Sequence, residues 1–166
     1  MFIQFALIFI IYTMEINYSE RRSSLSAKAL EDSAIIVSSA TVKSRISDTD
    51  YAYRQDSNFY YLSGYEEPDS LLLIRPSADK DKYIIFCRDR DPLREQWDGF
   101  RSGQEGAVDK YGADKAFSIN SLDEVMPKML EGIKNIYFSM SAPSGVDEKG
   151  KKWVIVSDLK LKNYED

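Results

Sequence analysis

At 166 residues, with 43% hydrophobic and 30% charged side chains, the chain has the composition of one globular domain able to bury a core. Its net charge of −5 argues against nucleic acid as a partner, since the short Lys149, Lys151 and Lys152 group is its one basic cluster. The absence of histidine and a single cysteine, Cys87, exclude Cys/His zinc sites, Ser-His-Asp triads, Cys-His dyads and an internal disulfide.

Residues 1–13 are almost wholly apolar and uncharged. They are shorter than the about 20 residues a membrane span needs, and they lack the charged start and cleavage site of a signal peptide. A weak anchor or export signal and a translation start at Met14 are the two readings, and the second is preferred. One domain is then expected over 14–166, behind a 1–13 extension. Asn17-Tyr18-Ser19 matches a glycosylation sequon, a pattern that arises often by chance.

Ser19 to Glu31 reads as a helix with Leu25, Ala29 and Leu30 on one side. Ser33 to Ser38 is a continuous apolar run, hence a buried strand. Leu71 to Ile74 and Tyr83 to Phe86 are two more, separated by the turn signal Pro76-Ser77-Ala78-Asp79, and are expected to form a hairpin. Cys87, at the end of that run, reads as a buried, reduced thiol of a cytoplasmic protein. Asp91-Pro92 opens a helix, stopped by Gly99 or Gly103. Ser121 to Glu124 has capping-box spacing ahead of Leu122, Val125, Met126, Met129, Leu130 and Ile133, with Pro127 set to kink that helix or shift its start. Asn135 to Met140 is strand-like, and Trp153 to Val156 is a strand or a helical turn. Helices alternating with buried strands predict an α/β domain, its mixed β-sheet flanked by helices on both faces.

The segment Tyr51 to Asp69 carries most of the information. Asp56 or Ser57 can cap a short helix over Asn58 to Leu62, which Gly64 can end in the left-handed conformation. Arg54 and Gln55 sit at its entry, Glu66 to Asp69 turn into the next strand, and Tyr53, Phe59, Tyr60 and Tyr61 offer core volume.

The run Tyr53-Arg54-Gln55-Asp56-Ser57-Asn58-Phe59-Tyr60-Tyr61-Leu62-Ser63-Gly64-Tyr65 is followed by Glu67-Pro68-Asp69, by Phe86-Cys87-Arg88-Asp89-Arg90-Asp91, and by Glu95-Gln96-Trp97-Asp98-Gly99-Phe100-Arg101-Ser102-Gly103. In this order and spacing the elements resemble the N-terminal domain of Xaa-Pro aminopeptidases, the aminopeptidase P group of the creatinase and prolidase superfamily. The resemblance covers about Arg21 to Met140 and is specific through its length. It implies a non-catalytic α/β domain that precedes a pita-bread catalytic domain. There two aspartates, a histidine and two glutamates hold two divalent ions, commonly manganese, which activate a water against the bond before proline. The 166 residues stop near where the linker to that domain would begin. No catalytic residue, metal ligand or cofactor is therefore assigned to them, and the chain alone is expected to be inactive.

The resemblance further implies a part in oligomers and in a neighbouring subunit's substrate rim. The residues implicated there fall on Asp48 and Trp97, a carboxylate for a peptide's terminal ammonium and an indole wall for a proline ring. Packing of Trp97 on its own domain and a loop-capping Asp48 are the plainer alternatives. Tyr53, Arg54, Gln55, Gly64, Glu67, Pro68, Arg88 and Gly99 are read as motif or interface residues. The expected partners are a catalytic aminopeptidase domain or further copies of the chain, with proline-containing peptides reached through them. The alternatives are a stand-alone peptide- or protein-binding module and a truncated gene relic.

Overall fold

The computed structural model describes residues 16–46 and 49–138. The expectations for residues 1–13, Asp48 and Trp153 to Val156 lie outside them. Within them the order is α1 (Tyr18–Ser26), β1 (Ser33–Ser38), β2 (Ser44–Ile46), β3 (Thr49–Asp50), α2 (Ser57–Ser63), β4 (Leu71–Ile74) and β5 (Tyr83–Cys87). Then come α3 (Glu95–Asp98), α4 (Gly103–Asp109), β6 (Lys115–Ser118), a 3-10 turn (Ile119–Ser121), α5 (Leu122–Met129) and β7 (Asn135–Phe138).

Five strands form one sheet in the order β6-β5-β4-β1-β7. The hairpin β4/β5 and the pair β1/β4 are antiparallel, whereas β1/β7 and β5/β6 are parallel, so the sheet is mixed. Its three central strands are buried throughout, and successive side chains alternate between two cores. Ile35, Val37, Leu72, Ile74, Tyr83, Ile85 and Cys87 face one core with Phe59 and Leu62 of α2 and Ala107 of α4. Ala34, Ile36, Leu71, Leu73, Ile84 and Phe86 face the other, closed by Leu122, Met126 and Leu130 in and just after α5. Both faces are thus covered, as expected.

Several local expectations are corrected. The first helix stops at Ser26 instead of Glu31, because the amides of Lys28 and Ala29 bond three residues back and tighten the chain into turns. Leu30 is consequently exposed, while Leu25 and Ala29 pack on the core. Tyr60 and Tyr61 are also exposed; Phe59 alone of the three consecutive aromatics fills the core. The Ser121 hydroxyl makes no cap: it donates to the Ser118 carbonyl at 2.8 Å, and the α5 helix runs through Pro127 rather than starting beyond it.

The helix after Gln55 forms as the residues dictate. Asp56 Oδ1 accepts the amides of Asn58 and Phe59, both at 2.9 Å, and Gly64 ends the helix at φ 67°. Two arginines of α1 close its carboxyl end: Arg21 donates to the Tyr61 carbonyl at 3.1 Å and Arg22 to the Leu62 carbonyl at 2.9 Å. A Cβ at Gly64 would meet the Tyr18 ring at 2.6 Å as well as the left-handed backbone penalty. Gly64→Ala is therefore expected to cost at least about 1 kcal/mol. The check is the urea midpoint, which should fall with unchanged slope.

Candidate functional site

Strand directions decide where the motif residues gather. Ser38 at the end of β1 pairs with Leu71 at the start of β4, Leu71 with Phe86 near the end of β5, and Cys87 with Ser118 at the end of β6. One end of the sheet therefore collects the carboxyl ends of β1, β5 and β6, the place where open α/β sheets form binding crevices. An open cleft of about 1110 Å³ lies there, lined by Tyr53, Pro68, Arg88, Trp97 and Arg101 among others. Four arginines (88, 90, 94 and 101) and five aspartates (50, 69, 89, 91 and 98) share its lining, so charges of both signs face the space.

Gln55 organises the approach to the cleft. Its Nε2 donates to the carbonyls of Tyr65 and Glu67 at 3.1 and 3.0 Å, and its Oε1 accepts the amides of Ala40 and Asp56, each at 2.8 Å. One amide side chain thus ties three backbone segments and leaves none of its own groups unused. Tyr53, half-buried beside it, donates its hydroxyl to the Ala40 carbonyl at 3.4 Å. Burial holds that phenol well above the usual tyrosine range.

Glu67 stands behind the cleft wall. Its Oε1 accepts the Ser102 amide at 2.7 Å, and its Oε2 faces the Arg88 guanidinium at 3.9 Å. Tyr65 and Cys87 are fully buried nearby. Burial is the main reason that the Cys87 thiol is pushed up to about 11 and the Tyr65 hydroxyl above its ordinary range, with the Glu67 charge adding to both. Cys87 is thus the buried free thiol anticipated, in its protonated form.

The loop from Arg88 to Ser102 carries Trp97. Asp91 Oδ1 accepts the amides of Leu93 and Arg94 at 3.2 and 3.1 Å, so Asp91-Pro92 does start a helical turn, which becomes α3 and ends at Gly99. Arg90 grips Glu95 with two bonds of 2.7 and 3.0 Å, which raises the arginine pKa and lowers that of the carboxyl. Asp89 accepts from Ser118, Asn120 and Gln104 at 2.7, 3.2 and 3.0 Å. On this frame Trp97 is 88% exposed and packs on no core.

Of the residues singled out in the sequence, Tyr53, Gln55, Glu67, Pro68, Arg88 and Trp97 meet at or behind this cleft. Gly64 lies against Tyr18, Arg54 is exposed beside a separate hollow with Arg21 and Glu66, and Gly99 is exposed at the end of α3. Sequence reasoning missed the roles of Glu95, Asp89, Arg101 and Ser102. The three-residue spacing of Asp98 and Arg101, which pair at 3.2 Å, was the one local signal available.

The acidic residues do not fit a metal pair. Among the described residues no three Asp, Glu or Cys side chains gather to hold an ion, and Glu67, Asp89 and Glu95 are each engaged by donors of this domain. Among them, too, no helix is long and apolar enough to cross a membrane.

Residues 18–137 match the family model described as aminopeptidase P, N-terminal domain. The chain is 39% identical to the Xaa-Pro aminopeptidase of Haemophilus influenzae over 121 residues, which are 73% of this chain and 28% of that protein. It is 36% identical to human Xaa-Pro aminopeptidase 3 over 117 residues, 68% of this chain and 23% of that one. The fold superposes on Pseudomonas aeruginosa aminopeptidase PepP with a TM-score of 0.80 and 40% identity, covering 84% of this chain and 31% of PepP. The chain thus spans less than a third of the length of these relatives. The match runs from α1 through β7 and takes in the cleft and its loop, so the chain belongs to the aminopeptidase P N-terminal domain family.

Proposed function

We propose that this domain is the non-catalytic N-terminal part of a Xaa-Pro metalloaminopeptidase, working in the cytoplasm beside a catalytic domain that cleaves the bond before proline. It would assemble with that domain, or with further copies of itself, and lend Trp97 and Asp48 to a neighbouring substrate rim. The observation that carries the reading is Trp97, an indole 88% exposed on a loop tied down by ion pairs and caps. An isolated domain gains nothing by holding so large an apolar group in water. An adjoining subunit gains a flat wall against which a proline ring can pack while water is excluded.

The chemistry stays with the catalytic domain. The manganese pair expected there would supply the activated water, and no residue described in this domain is assigned to it. What this chain contributes is shape and position: Gln55 fixes the approach, the Arg90–Glu95 pair braces the loop, and Trp97 presents the wall.

Association tests the reading. The 166-residue chain is mixed with the separately expressed catalytic domain of a relative such as the Haemophilus influenzae enzyme and followed by sedimentation velocity. A complex is expected. Failure to associate, with a proline-containing peptide bound by the chain alone, would instead make it a stand-alone module.

A further inference from the structure

We infer that Glu67 is the positioning residue for Trp97, one carboxylate pinning both ends of the loop that carries the indole. The loop leaves β5 at Arg88 and enters α4 after Ser102, and Glu67 reaches both ends. Its Oε2 faces Arg88 at 3.9 Å, and its Oε1 takes the Ser102 amide at 2.7 Å. The two ends also lie against each other, since a Cβ at Gly103 would meet Arg90 Cγ at 2.7 Å. This is the geometry of an Ω-loop, whose shape depends on what holds its neck.

The neck is held by charged side chains that are largely buried at the cleft wall. The side chains of Glu67, Arg88 and Arg101 are 13%, 18% and 10% exposed. Glu67 Oε2, Arg88 Nε and Arg101 Nε are buried without a hydrogen-bond partner among the described residues. Of the two arginines, Arg101 has its own carboxylate in Asp98 at 3.2 Å, whereas among the described residues the ion pair of Arg88 is with Glu67. Removing the Glu67 charge leaves Arg88 uncompensated at a desolvated neck, and such a charge is relieved most readily by opening to water. The structure beyond the loop does not depend on that charge, because the cores on both sheet faces are apolar. The loop is therefore expected to open by itself while the sheet stays closed. This inference rests on the proposed function only for what the loop is for; the positioning is a property of the chain alone.

Hydrogen exchange of the full chain tests it. Glu67→Gln keeps the size of the side chain and an acceptor for the Ser102 amide, and removes the charge. Amides from 89 to 101 are expected to exchange about tenfold faster, and trypsin to cut sooner after Arg90 and Arg94, while peptides of β4 and β5 keep their protection. Met126→Ala, buried on the far face, is the control for general destabilisation and is expected to show no such selectivity. Should Glu67→Gln fail to fold, Arg88→Gln removes the partner charge and reads the same loop. Unchanged loop exchange, or the same pattern in Met126→Ala, overturns the inference and leaves the proposal for Trp97 standing; a loosened loop together with no catalytic partner does the reverse.

Discussion

Replacing Gln55 by alanine is expected to lower the stability of the domain by roughly 3 kcal/mol. The side chain serves the carbonyls of Tyr65 and Glu67 and the amides of Ala40 and Asp56 at once. Its removal strands partly buried backbone groups in three segments, and each costs about 1–3 kcal/mol when water cannot reach it in full. The neighbouring Arg54 is exposed and makes no hydrogen bond or ion pair among the described residues, so Arg54→Ala should change stability by less than about 0.5 kcal/mol. Urea unfolding of the two variants side by side makes the comparison. Equal losses would show that the amide clamp does not hold these segments together.

Trp97→Ala is expected to behave in the opposite way. With the indole 88% exposed, stability should stay within about 0.5 kcal/mol of the parent. If the indole forms the rim of a neighbouring active site, hydrolysis by a reconstituted complex should fall by about tenfold or more, as for a buried aromatic at the centre of an interface. Leu93 and Phe100, exposed on the same loop, are the comparison positions. A folding defect in Trp97→Ala would favour the plainer packing role, and unchanged hydrolysis would remove Trp97 from the rim.

The core was the part most legible in the sequence. Ser33–Ser38 and the Leu71–Ile74/Tyr83–Cys87 hairpin stood out because strands buried on both faces need unbroken apolar runs. Asp56 and Gly64 announced their helix because cap chemistry is local. The α4 helix was not visible: it contains Gly103 and Gly106 within seven residues, a poor helix former held by tertiary packing of Ala107. The edge strand β6 and the β2/β3 hairpin were missed for a related reason, being short and only partly buried or exposed.

At the site, the motif residues could be named but not their duties. Nothing near Gln55 in sequence says that its amide reaches ten and twelve residues ahead and fifteen behind. Glu67 and Ser102 are 35 residues apart, joined only because the hairpin and the β5–α4–β6 crossover bring them to one end of the sheet. Conversely Tyr60 and Tyr61, apolar enough to suggest core, end outside. There Tyr61 stacks under the Arg21 guanidinium at 4.1 Å and Tyr60 meets Tyr18 edge-on at 6.2 Å.

Whether this domain serves a separate catalytic domain is decided by hydrolysis of an Xaa-Pro peptide with manganese by the chain alone, by a separately expressed catalytic domain alone, and by the two together. No turnover is expected from the chain alone, and the mixture is expected to turn over well above the rate of the catalytic domain. Turnover by the chain alone, or a mixture no faster than the catalytic domain, would contradict this expectation.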